Sequence, residues 1–214
     1  TVTDDVEGEV ISRADVSAIT DAQIEAEMAK MRGTIMQRPS SVSAVKVDGE
    51  RAYDRVRAGE SVELAAREVT ISQLDIKDVR RIENAIEVDI EVTCSAGTFI
   101  RAIARDCGNA LAVGGHLNSL RRTRVARFGL DKSISLASLK AGEFSTLGLV
   151  DVARTTFSAR ELALDEVNEL SFGRPLSANP DEAIYAAISG QDLIALLCNK
   201  DGLAKPIAVF AAAN

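Results

Sequence analysis

Five apolar residues at every second position, Ile86, Val88, Ile90, Val92 and Cys94, alternate with Glu87, Asp89, Glu91 and Thr93. A period of two specifies a strand with one face on a core and the other in water. The strand runs directly into a Gly97-Thr98 turn. A helical pattern follows to about Leu111, with Ile100, Ala104, Cys107 and Leu111 inward and Thr98 placed to cap it. Arg101 then sits one turn inside the helix, just past the mouth of the strand. Val69, Ile71, Leu74 and Ile76 predict a neighbouring strand, antiparallel across a turn at Glu83-Asn84.

Upstream, Thr20 and Gln23 form a T-x-x-Q capping signal. Ile24, Met28 and Met31 share one helical face and Gly33 ends the run, which predicts an amphipathic helix over 21–32. Residues 35–60 read differently. They carry Pro39, three serines and basic residues at Arg38, Lys46, Arg51, Arg55 and Arg57, with a hairpin-type turn at Asp48-Gly49 and a short helix from Arg51 to Arg57. A long excursion of low apolar density is more often functional than core. Downstream of the helix, Gly114-Gly115 breaks the pattern, and Thr123 and Val125 fit a following strand.

A composition shift near Gly142–Gly148 suggests two domains, 1–145 and 148–214. In the second, Asp165 can cap a short helix ended by Gly173 and Pro175. Strands are expected over 183–188, 193–199 and 206–210, the last two joined at Asp201-Gly202. The fold class is α+β: a mixed, mostly antiparallel sheet with flanking helices, then a small, mostly β domain.

The formal net charge of -7 excludes a molecule that binds polyanions through its overall charge, so such a partner must meet a local basic patch. Cys94, Cys107 and Cys198 lie far apart and in no metal-binding spacing, which fits reduced thiols in a cytoplasmic protein. No apolar run approaches membrane-spanning length and no signal peptide is visible. The sequence opens at Thr1 inside a patterned segment, as a fragment would.

Three features carry candidate chemistry. An arginine near a helix start opposes the helix dipole and calls for an anionic partner. For Arg101 a surface glutamate, a catalytic carboxylate and an RNA phosphate all satisfy that demand. Arg121, Arg122, Arg124 and Arg127 crowd into seven residues of an acidic chain, either as a phosphate-binding patch or as a solvated face. Phe99, beside Gly97-Thr98 and Arg101, is either a stacking platform for an extruded base or a core residue. His116 stands without a catalytic or metal-binding companion and reads as structural. No Ser/His/Asp set, glycine-rich phosphate loop or Cys/His metal set is present.

Four blocks, in order, resemble the TruB family of tRNA pseudouridine synthases. TVTDDVEGEV is similar to the family's T-D-T-x-D-x-x-G stretch. MRGTIMQRPSSVSAVKVDGERAYDRVRAG resembles its F-R-G…Q-x-P-P-x-Y-S-A-x-K-x-x-G-x-x-x-Y-x-x-A-R-x-G block, keeping Gly33, Gln37, Pro39, Ser43, Ala44, Lys46, Gly49, Tyr53, Arg57 and Gly59. CSAGTFIRAIARDCG is similar to C-S-K-G-T-Y-I-R-x-x-x-x-D-L-G, and LRRTRVARF to L-R-R-x-x-x-x-x-F.

The resemblance implies a pseudouridine synthase fold followed by a PUA-like RNA-binding domain. It implies isomerisation of uridine to pseudouridine at position 55, in the T arm of tRNA, with no cofactor and no metal. An aspartate attacks the flipped-out uridine, the glycosidic bond breaks, the base turns, and C5 bonds to the sugar. Arg101 would pair with that aspartate and keep it ionised. Phe99 would pack against the base and Leu120 line its pocket. Residues 35–60 would clamp the RNA, with Lys46, Tyr53, Arg57, Arg121, Arg122 and Arg124 on the RNA side. The partner would be the tRNA T stem-loop, met by a monomer in the cytoplasm.

Three departures stand out. The family's G-H-T-G-x-L-D-P nucleophile segment has no match in these residues, so the chain by itself is expected to be inactive. Phe99 stands where the family commonly has tyrosine, and Val42 replaces a tyrosine of the clamp block. A non-catalytic RNA-binding protein that keeps the cleft is the alternative from a different class. The guide-RNA-dependent relative of the same superfamily fits less well, given the acidic balance and short C-terminal domain.

Overall fold

The computed structural model describes residues 1–40, 64–180 and 183–211, together with the backbone of 46–47 and 50–51. They form two compact units, Thr1–Arg121 and Arg122–Asn214.

In the first unit, α1 (Asp21–Ala29) is capped reciprocally: the Gln23 amide donates to Thr20 Oγ1, and the Thr20 amide donates to Gln23 Oε1. The helix is shorter than predicted. Residues 30–32 turn away from it, and Gly33, at φ +89°, opens β1 (Gly33–Gln37) rather than ending the helix. A long hairpin of β4 (Arg67–Ile82) and β5 (Ala85–Cys94) turns at Glu83-Asn84 as expected, with β1 antiparallel to β4. The backbones of β2 (Lys46–Val47) and β3 (Glu50–Arg51) pair antiparallel and bracket Asp48-Gly49. The side chains of 41–63, and the helix expected over 51–57, lie outside the described residues.

Helix α2 (Ile100–Ala110) follows β5. Its cap residue is Phe99, without a side-chain cap; the Thr98 hydroxyl instead donates to Ser95 O at 2.9 Å and tightens the turn. Ile103 and Cys107 of α2, Ile24 and Met28 of α1, and Ile71 and Leu74 of β4 form one buried cluster. Ile100 and Leu111 are only partly buried against it, so the inward stripe is centred on Ile103–Cys107. The chain leaves α2 by folding back along it. A Cβ on Gly115 would stand 2.2 Å from Ala104 O, and one on Gly108 would stand 2.1 Å from Gly114 C. Backbone lies on backbone there, and only glycine permits it.

In the second unit, β6 (Arg124–Val125) and β7 (Phe128–Gly129) make a minimal hairpin that excludes Thr123. Helices α3 (Leu136–Ala141) and α4 (Leu149–Thr156) follow. A five-stranded sheet has the order β8 (Ser158–Glu161), β10 (Tyr185–Ser189), β11 (Asp192–Lys200), β12 (Leu203–Val209), β9 (Leu176–Ser177). Only the β8–β10 pairing is parallel. The sheet is covered on both faces. Tyr185 and Ala187 pack with Leu170 of α5 (Leu164–Ser171), whereas Ala186 and Ile188 pack with Val150 and Ala153 of α4. Asp165 lies in the first turn of α5 rather than at its cap, which is Ala163. Asp201 (φ 57°) and Gly202 (φ 76°) make the predicted two-residue turn between β11 and β12.

Candidate active site

The site is built where three segments of the first unit meet: the turn at 1–9, the end of β1, and the first two turns of α2. The 1–9 turn is fixed by its backbone. The Val6 amide donates to Leu117 O and the Leu117 amide donates to Asp4 O, both at 2.9 Å, in a parallel bridge around Asp5. Asp4 adopts φ +58°, a left-handed conformation that aspartate tolerates better than most residues. The turn thus presents two successive carboxylates to α2.

Residues four apart on a helix lie on one face, one turn above the other. Arg101 and Arg105 use that spacing to meet Asp5 and Asp4. Arg101 Nη1 donates to Asp5 Oδ2 at 2.8 Å and to Thr3 O at 3.1 Å. Arg105 Nη1 donates to Asp4 Oδ2 at 3.1 Å, and its Nε donates to Asp106 Oδ1 at 2.8 Å. These pairs are half-buried: the side chains of Arg101 and Asp5 are 33% and 21% exposed, and those of Arg105 and Asp4 20% and 14%. The Thr3 hydroxyl, 2.6 Å from Asp5 Oδ1, contributes most to holding the Asp5 carboxyl below the usual aspartate range. The Arg101 charge and the Glu7 amide add to this against the opposing effect of burial.

The end of β1 is stitched to the same helix. Gln37 is buried, accepts from the Phe99 amide at 2.7 Å and donates to Phe99 O at 3.0 Å. Arg105 Nη2 donates to Arg38 O at 2.7 Å, and the buried Ser40 hydroxyl reaches Thr3 O at 3.4 Å. Phe99 is therefore half-buried, its backbone fixed and its ring one residue from the helix that carries Arg101.

Leu120 is 59% exposed, and among the described residues no hydrogen bond or buried cluster ties it to Arg101 or Phe99. Arg121, Arg122, Arg124 and Arg127 are all exposed, and Arg124 donates to Ala126 O. The side chains of Lys46, Tyr53 and Arg57 lie outside the described residues. Sequence reasoning did not assign roles to Asp4, Asp5 and Arg105. Their signal was present as consecutive aspartates and an R-x-x-x-R spacing, but nothing local says that the two meet. Among the described residues no group of His, Cys, Asp or Glu is arranged to hold a metal ion, and no helix is long and apolar enough to cross a membrane.

The first unit thus holds a helix-borne arginine, fixed by a carboxylate next to an aromatic, as a cation placed to meet a further anion. Residues 1–100 match the TruB family pseudouridylate synthase N-terminal domain. Residues 101–146 match the tRNA pseudouridylate synthase B C-terminal domain, and residues 157–211 the tRNA pseudouridine synthase II C-terminal domain. The chain is 50% identical to tRNA pseudouridine synthase B of Mycobacteroides abscessus, across 100% of this chain and 72% of that protein. It is 48% identical to tRNA pseudouridine synthase B of Arthrobacter sp., across 100% of this chain and 74% of that one. The chain belongs to the TruB family of tRNA pseudouridine synthases, isomerases that convert uridine to pseudouridine in tRNA.

Among solved structures, a chain of a Cbf5-Nop10-Gar1 complex superposes with a TM-score of 0.63 at 21% identity, over 92% of this chain and 64% of that one. A chain of the archaeal box H/ACA sRNP Nop10-Cbf5 complex gives a TM-score of 0.56 at 19% identity, over 91% and 63%. The likeness shows the shared α+β fold.

Proposed function

We propose that this chain supplies the arginine side of the catalytic cleft of a tRNA pseudouridine-55 synthase. The observation that carries the reading is the tethering of Arg101. Both of its hydrogen bonds among the described residues leave from Nη1, toward Asp5 and Thr3. Nε and Nη2 are then the donors available to a second carboxylate, the nucleophile of the family's G-x-L-D-P segment, which these residues do not include. A guanidinium remains charged at any physiological pH, so such a contact keeps the attacking aspartate ionised while the uridine is held against it. Phe99, fixed through its backbone by Gln37, is the surface on which the extruded base rests. In this proposal the intact protein is a cytoplasmic monomer that recognises the tRNA T stem-loop, with Leu120 in the base pocket and basic contacts from residues 35–60 and 121–124.

The test is full-length protein incubated with tRNA transcripts, with modified uridines mapped by base-specific chemistry. Pseudouridine at position 55, and none when that position is cytidine, supports the reading. Bound tRNA left unmodified would instead favour an RNA-binding protein that keeps the cleft.

A further inference from the structure

Arg105 is the one side chain among the described residues that bonds the 1–9 turn, the end of β1 and its own helix together. Nη1 donates to Asp4 Oδ2 at 3.1 Å and to Pro39 O at 3.4 Å. Nη2 donates to Arg38 O at 2.7 Å and Nε to Asp106 Oδ1 at 2.8 Å. The planar fork of a guanidinium can serve acceptors on different segments at once; a lysine ammonium, a point charge, holds no such geometry. The residues it grips are not free-standing. Pro39 is buried, and Asp4 holds a left-handed conformation, uncommon for a residue with a side chain though better tolerated by aspartate than by most. Asp4 is directly followed by Asp5, whose carboxylate holds Arg101. Direction therefore passes along a short path: an ion pair from Arg105 to Asp4, one peptide bond from Asp4 to Asp5, and an ion pair from Asp5 to Arg101.

We propose that Arg105 is a positioning residue that, by gripping Asp4 together with the carbonyls of Arg38 and Pro39, fixes the turn presenting Asp5 to Arg101 and so aims the Arg101 guanidinium. Arg105 touches no reacting atom in this account. Without it, Asp4 loses its charged partner and the turn relaxes toward ordinary backbone angles. Asp5 then withdraws from Arg101, and the guanidinium samples directions unsuited to a second carboxylate. This inference rests on the synthase reading of Arg101, and one of its readouts does not depend on activity.

The experiment compares full-length protein with its Arg105→Ala variant. Single-turnover isomerisation is expected to fall about tenfold or more, with the tRNA dissociation constant changed less than about threefold. Amide hydrogen exchange is the independent readout. Val6 and Leu117, whose bonds hold the turn, are expected to exchange about tenfold faster, while Ile71 and Leu74 of the core keep their protection. Should Arg105→Ala not fold, Arg105→Lys carries the same test, since it keeps charge and stem but not the fork. Asp4→Asn combined with Arg105→Ala is expected to cost no more than Arg105→Ala alone, because both act through one contact. Unchanged exchange at Val6 and Leu117, additive losses in the double variant, or rate and affinity falling by equal factors would each overturn the proposal. A wild-type protein that isomerises nothing, yet shows the exchange change, would sink the synthase reading and leave the Arg105 tether standing.

Discussion

Gln37 and Phe99, 62 residues apart in sequence, exchange two hydrogen bonds: the Gln37 amide oxygen accepts from the Phe99 N–H and its amide nitrogen donates to the Phe99 carbonyl. Gln37 thus mimics a strand partner for the residue that opens α2, which carries no side-chain cap of its own. Gln37→Ala leaves the part-buried Phe99 N–H without its partner, while the Phe99 carbonyl keeps the Ala102 amide at 3.1 Å, a loss of about 1–3 kcal/mol. The midpoint of thermal unfolding should fall by roughly 2–4 °C for each kcal/mol in a chain of this size. Gln37→Glu places a carboxylate oxygen against the Phe99 carbonyl at neutral pH. It should be destabilised there and partly restored in acid, where a protonated carboxyl can donate. A Gln37→Ala melting curve that overlays the wild type would show that the exchange contributes nothing.

Asp5 gives a pH dependence of definite sign. Its carboxyl is held below the ordinary range, chiefly by Thr3 and then by Arg101, against burial. A group whose native pKa lies below its unfolded value, near ~3.9 for aspartate, adds stability that is complete above that value and vanishes as pH falls through the native one. Asp5→Asn should therefore be less stable than wild type by a constant amount from about pH 7 to pH 5, and the gap should close below about pH 4. Urea unfolding across that range measures it, and a gap that widens in acid would refute the assignment.

The cluster at 121–124 is exposed and open to phosphate. Replacing Arg121 and Arg122 by Ala should weaken tRNA binding and lower the slope of log affinity against log salt by about two. Binding titrations at several salt concentrations decide this. An unaltered slope would mean that the two arginines are only solvated.

Gly115 tests the close approach that brings Leu117 to the 1–9 turn. A Cβ there would lie 2.2 Å from Ala104 O, which is backbone and cannot swing aside. Gly115→Ala should lower stability by about 1–3 kcal/mol, the usual cost of overpacking against rigid neighbours. It should also speed exchange at Leu117. A variant as stable as wild type would show that the loop rests farther from α2.

Much of this architecture was legible in the amino-acid order, for identifiable reasons. The β4–β5 hairpin and the Thr20–Gln23 cap are local patterns, and local patterns can be read directly. The turn at Asp201-Gly202 was equally clear. The caps of α2 and α5 were misassigned because Thr98 and Asp165 are good capping residues, but tertiary contacts fixed the helix starts elsewhere: Phe99 is held by Gln37, and the Ala163 amide is held by Glu166. In the site, Arg101 stood out by its position and by the matching blocks. The partner actually holding it, Asp5, is 96 residues away and could not be found from periodicity. The same is true of the Arg105 tether to Asp4 and Arg38. Long-range polar contacts depend on the folded path of the chain, which spacing alone does not encode.

The central claim is that Arg101 serves chemistry rather than adhesion. Arg101→Ala in the full-length protein, followed under single-turnover conditions beside a tRNA-binding titration, tests it most directly. The account predicts a loss of isomerisation rate of about a thousandfold, with affinity within about threefold of wild type. An equal loss of rate and affinity, or a rate close to wild type, would contradict it.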